Sequence, residues 1–337
     1  MNAVTSTHRM RSFVASAALL LAAAAQAAGT VGTSFPPDFP VIEDASLAKP
    51  VISFGAAGTV TRTPVIFLHG NNDTPFATAC SRFGRVQALA QHLADNGWST
   101  SELWALGYQG DQCNLAADQN NRSRIAHTNQ ANVPDLRRFV QAVLAYTGAR
   151  QVDIVGHGLG VTLAREWMRQ DDAHKAVRRF VAIDGPHHGI INCSPDPANY
   201  FQAPAAGGFT PSSEVCRELG SPDTSFLKLL NGPGGSRETE GRTRALVIRN
   251  ADTSFVYFPL QDGFIAPVPA IDSFGKPTDF SRSASLKGAR EIALTGQGAY
   301  DPILRTTHLG ILNSRQTWAT VEFLGEGGHG HGHGHPR

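Results

Sequence analysis

The stretch "DIVGHGLGVTLAREW", Asp153 to Trp167, decides the fold. Its first residues, with Gln151 and Val152 before them, read as a strand, "QVDIVG" (Gln151 to Gly156). Gly156, Gly158 and Gly160 then fall within five residues and mark a tight turn. From Leu159 to Gln170 the apolar residues recur at helical spacing. The segment therefore reads as strand, sharp turn, helix. The middle of the turn is Gly158, which carries no side chain.

The same rhythm extends in both directions. "TPVIFLHG" (Thr63 to Gly70) is a second buried strand ending in glycine, and "SELWALGY" (Ser101 to Tyr108) a third. "VRRFVAIDGPHHG" (Val177 to Gly189) runs from a strand into a loop, and "TRALVIRN" (Thr243 to Asn250) and "AREIALTG" (Ala289 to Gly296) are further strands. Helices are expected in "FGRVQALAQHLADNGW" (Phe83 to Trp98) and in "NVPDLRRFVQAVLAYTGA" (Asn132 to Ala149). In the second, Asn132 caps, Pro134 suits the first turn and Gly148 ends the helix. "SRQTWATVEFL" (Ser314 to Leu324) is a closing helix. Strands alternating with helices predict an α/β fold with a mostly parallel sheet covered on both faces. Residues 28–60 read as an extended leading segment with a possible edge strand. Residues of about 190–241, rich in Gly, Pro and Ser, read as a cap or lid insertion.

The chain has 337 residues, 41% hydrophobic and 17% charged, which supplies ample core material. A formal net charge of +1 gives no basic surface for nucleic acid. At the N-terminus, the basic "HRMR" (His8 to Arg11), the apolar "FVASAALLLAAAA" (Phe13 to Ala25) and "AQA" (Ala25 to Ala27) have the order of a secretory signal. The apolar run falls short of the ~20 residues of a membrane span. Residues 1–27 are expected to be removed, leaving an exported chain with no transmembrane segment. Four cysteines in an exported chain suggest two disulfides. Cys80–Cys113 and Cys193–Cys216 close the shorter loops. The tail, residues 325–337, alternates His329, His331, His333 and His335 with glycine and reads as disordered. No metal site or cofactor-binding motif is recognised.

Four segments, in order, resemble the α/β-hydrolase family, specifically its secreted lipases and esterases and the related extracellular polyhydroxyalkanoate depolymerases. "FLHGNND" (Phe67 to Asp73) is similar to the family's His-Gly oxyanion segment, which implies a role for the Asn71 N–H. "GHGLG" is similar to the G-x-S-x-G nucleophile elbow, which implies Leu159 N–H as the second oxyanion donor and puts Gly158 where the family has its serine. "DGPHHG" (Asp184 to Gly189) resembles the family's Gly-Pro-His-x-Gly loop, with His187 and His188 in loop or pocket-wall roles. "TTHLGIL" (Thr306 to Leu312) resembles the loop of the catalytic histidine and nominates His308. "QDGFIAP" (Gln261 to Pro267) nominates Asp262 as the acid, with Asp252 of "NADTSF" as the alternative.

The resemblance implies a carboxylic ester hydrolase acting on an apolar ester, lipid or polyester. Phe255, Tyr257, Phe258 and Phe264, near the nominated acids, are candidates to line its pocket. Glycine cannot attack a carbonyl, so hydrolysis by the chain as written is expected to be very slow, with water deprotonated by His308. Two other readings stand beside it. One is a non-catalytic binding protein that captures lipid, polyester or a protein partner. The other is a nucleophile displaced elsewhere, such as Ser194.

Overall fold

The computed structural model describes residues 43–44, 49–50, 52–71, 73–78, 84–108, 110, 129–195, 212–250, 270–294, 307–313 and 317–326. The signal-like residues 1–27, the histidine-rich tail beyond 326, Cys80, Cys113, Asp252, Asp262 and the aromatic residues at 255–264 lie outside them.

The centre is a seven-stranded sheet. In chain order its strands are β1 (Ile52–Phe54), β2 (Val65–Leu68), β3 (Leu103–Gly107), β4 (Val152–His157), β5 (Val177–Ile183), β6 (Arg244–Asn250) and β7 (Arg290–Leu294). In space they run β7-β6-β5-β4-β2-β3-β1, all parallel except β1, which pairs antiparallel with β3 at the edge. This is the α/β-hydrolase arrangement, and it supplies the expected edge strand. The chain steps outward from β2 to β3, then returns to lay β4 on the other side of β2. Such a reversal opens a crevice at the carboxyl ends of the two strands, where ligands bind in open α/β sheets.

The sequence builds the layers by alternation along each strand. On β2, Ile66 and Leu68 face one layer and Val65 and Phe67 the other, and all four are fully buried. The first layer holds Leu136, Phe139 and Val143 of α2 (Asn129–Thr147) and Leu163, Ala164 and Trp167 of α3 (Leu159–Asp171). The second holds Val86, Leu89 and Leu93 of α1 (Arg85–Asp95) and Phe323 and Leu324 of α7 (Thr320–Gly325). Burying each such side chain contributes about 1.5–3 kcal/mol.

Helix α2 begins a turn before the expected Asn132 cap. Glu218, from the short helix α4 (Glu214–Leu219), accepts hydrogen bonds from the Asn129 N–H at 2.7 Å, the Asn129 amide at 2.8 Å and the Gln130 N–H at 3.2 Å. A distant carboxylate thus caps the helix and meets the positive end of its dipole. Local sequence held no sign of it. Pro134 therefore lies inside α2 instead of at its start, while Gly148 ends it with φ +67° as expected. The closing helix is shorter than the sequence suggested: a 3-10 turn, Thr317–Ala319, precedes α7.

Within the stretch read as an insertion, Ile191–Cys193 forms a 3-10 turn, and α4 and α5 (Ser225–Asn231) follow. The expected Cys193–Cys216 disulfide is present. Ser194 directly follows the 3-10 turn, buried, and is not on a strand–turn–helix elbow. No helix among the described residues is long and apolar enough to cross a membrane.

The bridge closes a loop with a sequence separation of 23, so Cys193→Ala with Cys216→Ala is expected to cost about 3 kcal/mol of stability. Urea unfolding of the double variant measures this; an unchanged midpoint would show that the bridge adds nothing.

Candidate active site

Gly158 stands between the last residue of β4 and the first of α3, at φ +52° and ψ −122°. Residues with side chains rarely adopt this conformation, and each costs about 1–3 kcal/mol when they do. The turn is fixed from both sides. The Gly158 N–H donates to the Ile183 carbonyl at 3.0 Å, and its own carbonyl accepts from the Val161 N–H at 3.1 Å. A Cβ at Gly160 would lie 2.6 Å from the His69 carbonyl oxygen and 2.7 Å from that of Leu68. Only glycine lets α3 approach the end of β2 so closely.

That approach brings the sequence-nominated parts together. Gly70, at the end of the β2 segment, has its Cα 3.5 Å from where a Cβ on Gly158 would be. Asn71 follows it in a turn closed by the Asp73 N–H on the Gly70 carbonyl at 3.3 Å. The Leu159 N–H is the first of α3, among the amides a helix leaves without an internal acceptor. His308 arrives on the four-residue helix α6 (Thr307–Gly310) and is buried. Its Nε2 lies 2.9 Å and its Cε1 3.2 Å from the Cβ position of Gly158.

The carboxylate that holds His308 was not among those nominated. Asp184 accepts the His308 Nδ1–H on Oδ2 at 2.8 Å. Asp184 directly follows β5, next to the elbow strand, with the left-handed φ of +48°. It is 2% exposed. Its other bonds come from Asn250: the backbone N–H reaches Oδ1 at 3.2 Å and the side-chain amide reaches Oδ2 at 3.0 Å. Because a carboxylate only accepts, His308 Nδ1 carries the proton of this bond, and the Nε2–Cε1 edge of the ring lies beside Gly158. The signal was present in the sequence. Asp184 opens "DGPHHG", directly after the strand Val177–Ile183.

His157, the residue before Gly158, was also passed over. Its ring stacks on that of His308 with centroids 4.3 Å apart, and its Nε2–H donates to the His308 carbonyl at 2.9 Å. Burial drives its pKa well below the usual histidine value, so it stays neutral. The His308 ring is therefore clamped between Asp184 and His157. His187 is fully buried and accepts from Arg165 at 3.2 Å through Nδ1, while His188 reaches Glu238 at 3.2 Å. Both hold the loop. Among the described residues no three His, Cys, Asp or Glu side chains gather into a metal site.

Next to Gly70, His69 stacks flat on Tyr108 at 4.3 Å, and burial lowers its pKa from 6.5 to about 4. Burial raises Asp73 from 3.8 to about 6. Its folded form thus favours the neutral acid, and the charge is tolerated at a cost of about 3 kcal/mol once the pH exceeds 6. Asp73→Asn keeps an oxygen for the Thr74 N–H, now 2.8 Å from Oδ1. Its effect on stability is expected to become more favourable by about 2.4 kcal/mol between pH 4 and pH 8. Urea titrations of both chains at the two pH values measure this, and a pH-independent difference would contradict the burial of an ionised Asp73.

The sequence pattern of the family described as lipase (class 2) matches residues 62–243, from just before β2 to just before β6. Among solved structures, Aspergillus fumigatus lipase B is 16% identical with a TM-score of 0.48, covering 88% of this chain and 62% of that one. The mature form of Bacillus licheniformis lipase BlEst2 is 15% identical with a TM-score of 0.49, covering 81% of this chain and 97% of that one. The chain spans 53% of the propeptide form of the same enzyme. With more than half of its length matched, the chain belongs to the class 2 lipase family.

Proposed function

We propose that the chain is an exported carboxylic ester hydrolase of the lipase or esterase type whose elbow lacks its serine, so that it turns over esters very slowly. The observation that carries this reading is the His308–Asp184 pair, closed at 2.8 Å with Nε2 against the elbow. Acyl transfer needs a base whose tautomer and orientation are fixed, and Asp184 fixes both. It also needs donors for the negative charge that develops on the carbonyl oxygen. The Leu159 and Asn71 amides are the candidates, because Gly70 and Gly158 adjoin. Residues 8–27, with the order of a secretory signal, support export. Apolar acyl esters, including polyesters, are the substrates we infer from the resemblance to secreted lipases and depolymerases.

A second reading, a binding protein built on a retired hydrolase, is favoured by one observation: the residue at the elbow has no side chain to attack with. The retained dyad speaks against it, since capture of a ligand needs neither the Nδ1 bond nor the clamp on His308.

Gly158→Ser separates the two readings. Loss of such a serine costs about 10⁶-fold in turnover, so the variant is expected to gain several powers of ten against short and long p-nitrophenyl esters. A serine-directed phosphonate should abolish the gain. The variant is also expected to lose about 1–3 kcal/mol of stability, because a Cβ enters the strained turn and His308 has to give way. A folded variant as inert as the parent would remove the hydrolase reading and leave the binding protein.

A further inference from the structure

Among the described residues three donors reach the Asp184 carboxylate, and two of them belong to Asn250: its backbone N–H on Oδ1 at 3.2 Å and its side-chain amide on Oδ2 at 3.0 Å. The third is the His308 Nδ1–H, also on Oδ2, at 2.8 Å. Asp184 gives its own N–H to the Ile248 carbonyl at 2.8 Å. The end of β6 thus holds Asp184 at its backbone and at both carboxylate oxygens. We infer that Asn250 is the positioning residue of the His308–Asp184 pair: its amide keeps the carboxylate in the orientation that meets Nδ1, and it does so by donating a hydrogen bond and not by filling space. This rests on the hydrolase reading above and names a residue that acts in it through Asp184.

The need for such a hold follows from burial and backbone. At 2% exposure Asp184 is out of reach of bulk water, so protein donors take the place of hydration. Oδ2 has two lone pairs, one for His308 and one for the Asn250 amide. The backbone N–H on Oδ1 stops the carboxylate from turning about its Cβ–Cγ bond. Asp184 also has the left-handed φ of +48°, a conformation that persists where the surroundings over-determine it. The sequence nominated an acid just beyond β6, at Asp252. The residue that ends β6 is instead an amide, which gives to Asp184 where an ionised carboxyl would repel it.

The bond has a chemical signature that packing lacks. Asn250→Asp keeps the shape and replaces the amide by a carboxyl. While protonated, that carboxyl donates to Asp184 as the amide does. Once ionised it only accepts, and it sets a second negative charge against the first. The like charge raises the pH at which the introduced carboxyl ionises above its ordinary ~3.9. Of the other charged or titratable groups nearby, His308 shares the Asp184 carboxylate, the neutral His157 stacks on His308, and Arg249 on β6 is bonded to Glu291 of β7 at 2.8 Å. Asn250→Leu, similar in size, donates at no pH. Asn250 acts in the step in which His308 takes a proton, so its loss changes turnover and not substrate affinity.

The test makes both substitutions in the Gly158→Ser chain and in the unsubstituted one. Hydrolysis of p-nitrophenyl acetate by the Gly158→Ser forms is followed across the pH range in which the parent is active. Asn250→Leu is expected to lower kcat about ten- to hundredfold at every pH with KM unchanged, the worth of a hydrogen bond to a charged group. Asn250→Asp should match its parent at the acid end and fall toward the leucine form as the pH rises. In the unsubstituted chain, proton NMR of the His308 ring N–H should follow the same pattern: faster exchange in Asn250→Leu throughout, and in Asn250→Asp only at the alkaline end. Unchanged kcat and exchange in Asn250→Leu, or equal and pH-independent losses in the two variants, would overturn the inference. Because Asn250→Asp keeps the native shape, its arm stands even where Asn250→Leu fails to fold. An inert Gly158→Ser chain would remove the hydrolase reading, and the ring N–H exchange, which needs no turnover, would then decide the inference by itself.

Discussion

The site depends on how closely helix α3 is pressed onto the end of strand β2. The contact is backbone to backbone at Gly160, where a single Cβ would fall 2.6–2.7 Å from two carbonyl oxygens. That closeness stands the elbow up between β2 and β5. It brings Gly70 beside Gly158 and lets the Gly158 N–H close on Ile183. The same Ile183 ends β5, so Asp184 is delivered one residue later, next to the elbow. His308 comes from more than a hundred residues further along and meets Asp184 there. A helix a few tenths of an ångström further out would break this set of contacts together.

Glycine at position 158 has two opposing physical consequences. The backbone of residue 158 is relieved, because φ +52° with ψ −122° is a conformation that glycine adopts without strain. The chemistry open to residue 158 is limited, because glycine has no side chain with which to attack. What survives is polar machinery that is costly to bury and has no packing role of its own: a carboxylate at 2% exposure, a buried imidazole at its Oδ2, and a second neutral imidazole behind it.

The fold was legible because its signals are local and repeated. Buried strands read as apolar runs, β2 and β4 are each followed within two residues by a glycine, and the order of strands and helices left little choice of topology. Gly158, Leu159, Asn71 and His308, which the structure brings near one another, each lie within a few residues of a recognisable pattern. Asp184 was not legible as the acid, for a physical reason. An acid in this fold is defined by its distance from the histidine, and several strand ends present an aspartate at the same edge of the sheet. Sequence order placed Asp252 and Asp262 after the next strand; the structure places Asp184, after β5, against His308. The capping of α2 by Glu218 was hidden likewise, since 89 residues separate the partners.

The pairing of His308 with Asp184 is the claim from which the rest follows, and proton NMR of the unsubstituted chain tests it without any need for activity. A ring N–H bonded to a buried carboxylate resonates far downfield of ordinary amides and exchanges slowly enough to be seen. The account predicts one such resonance, assigned to His308 Nδ1–H, that disappears in Asp184→Asn and persists in Asp262→Asn and Asp252→Asn. A resonance that survives Asp184→Asn and is lost with Asp262 or Asp252 would show that another strand end supplies the acid, and the account of the site would fall.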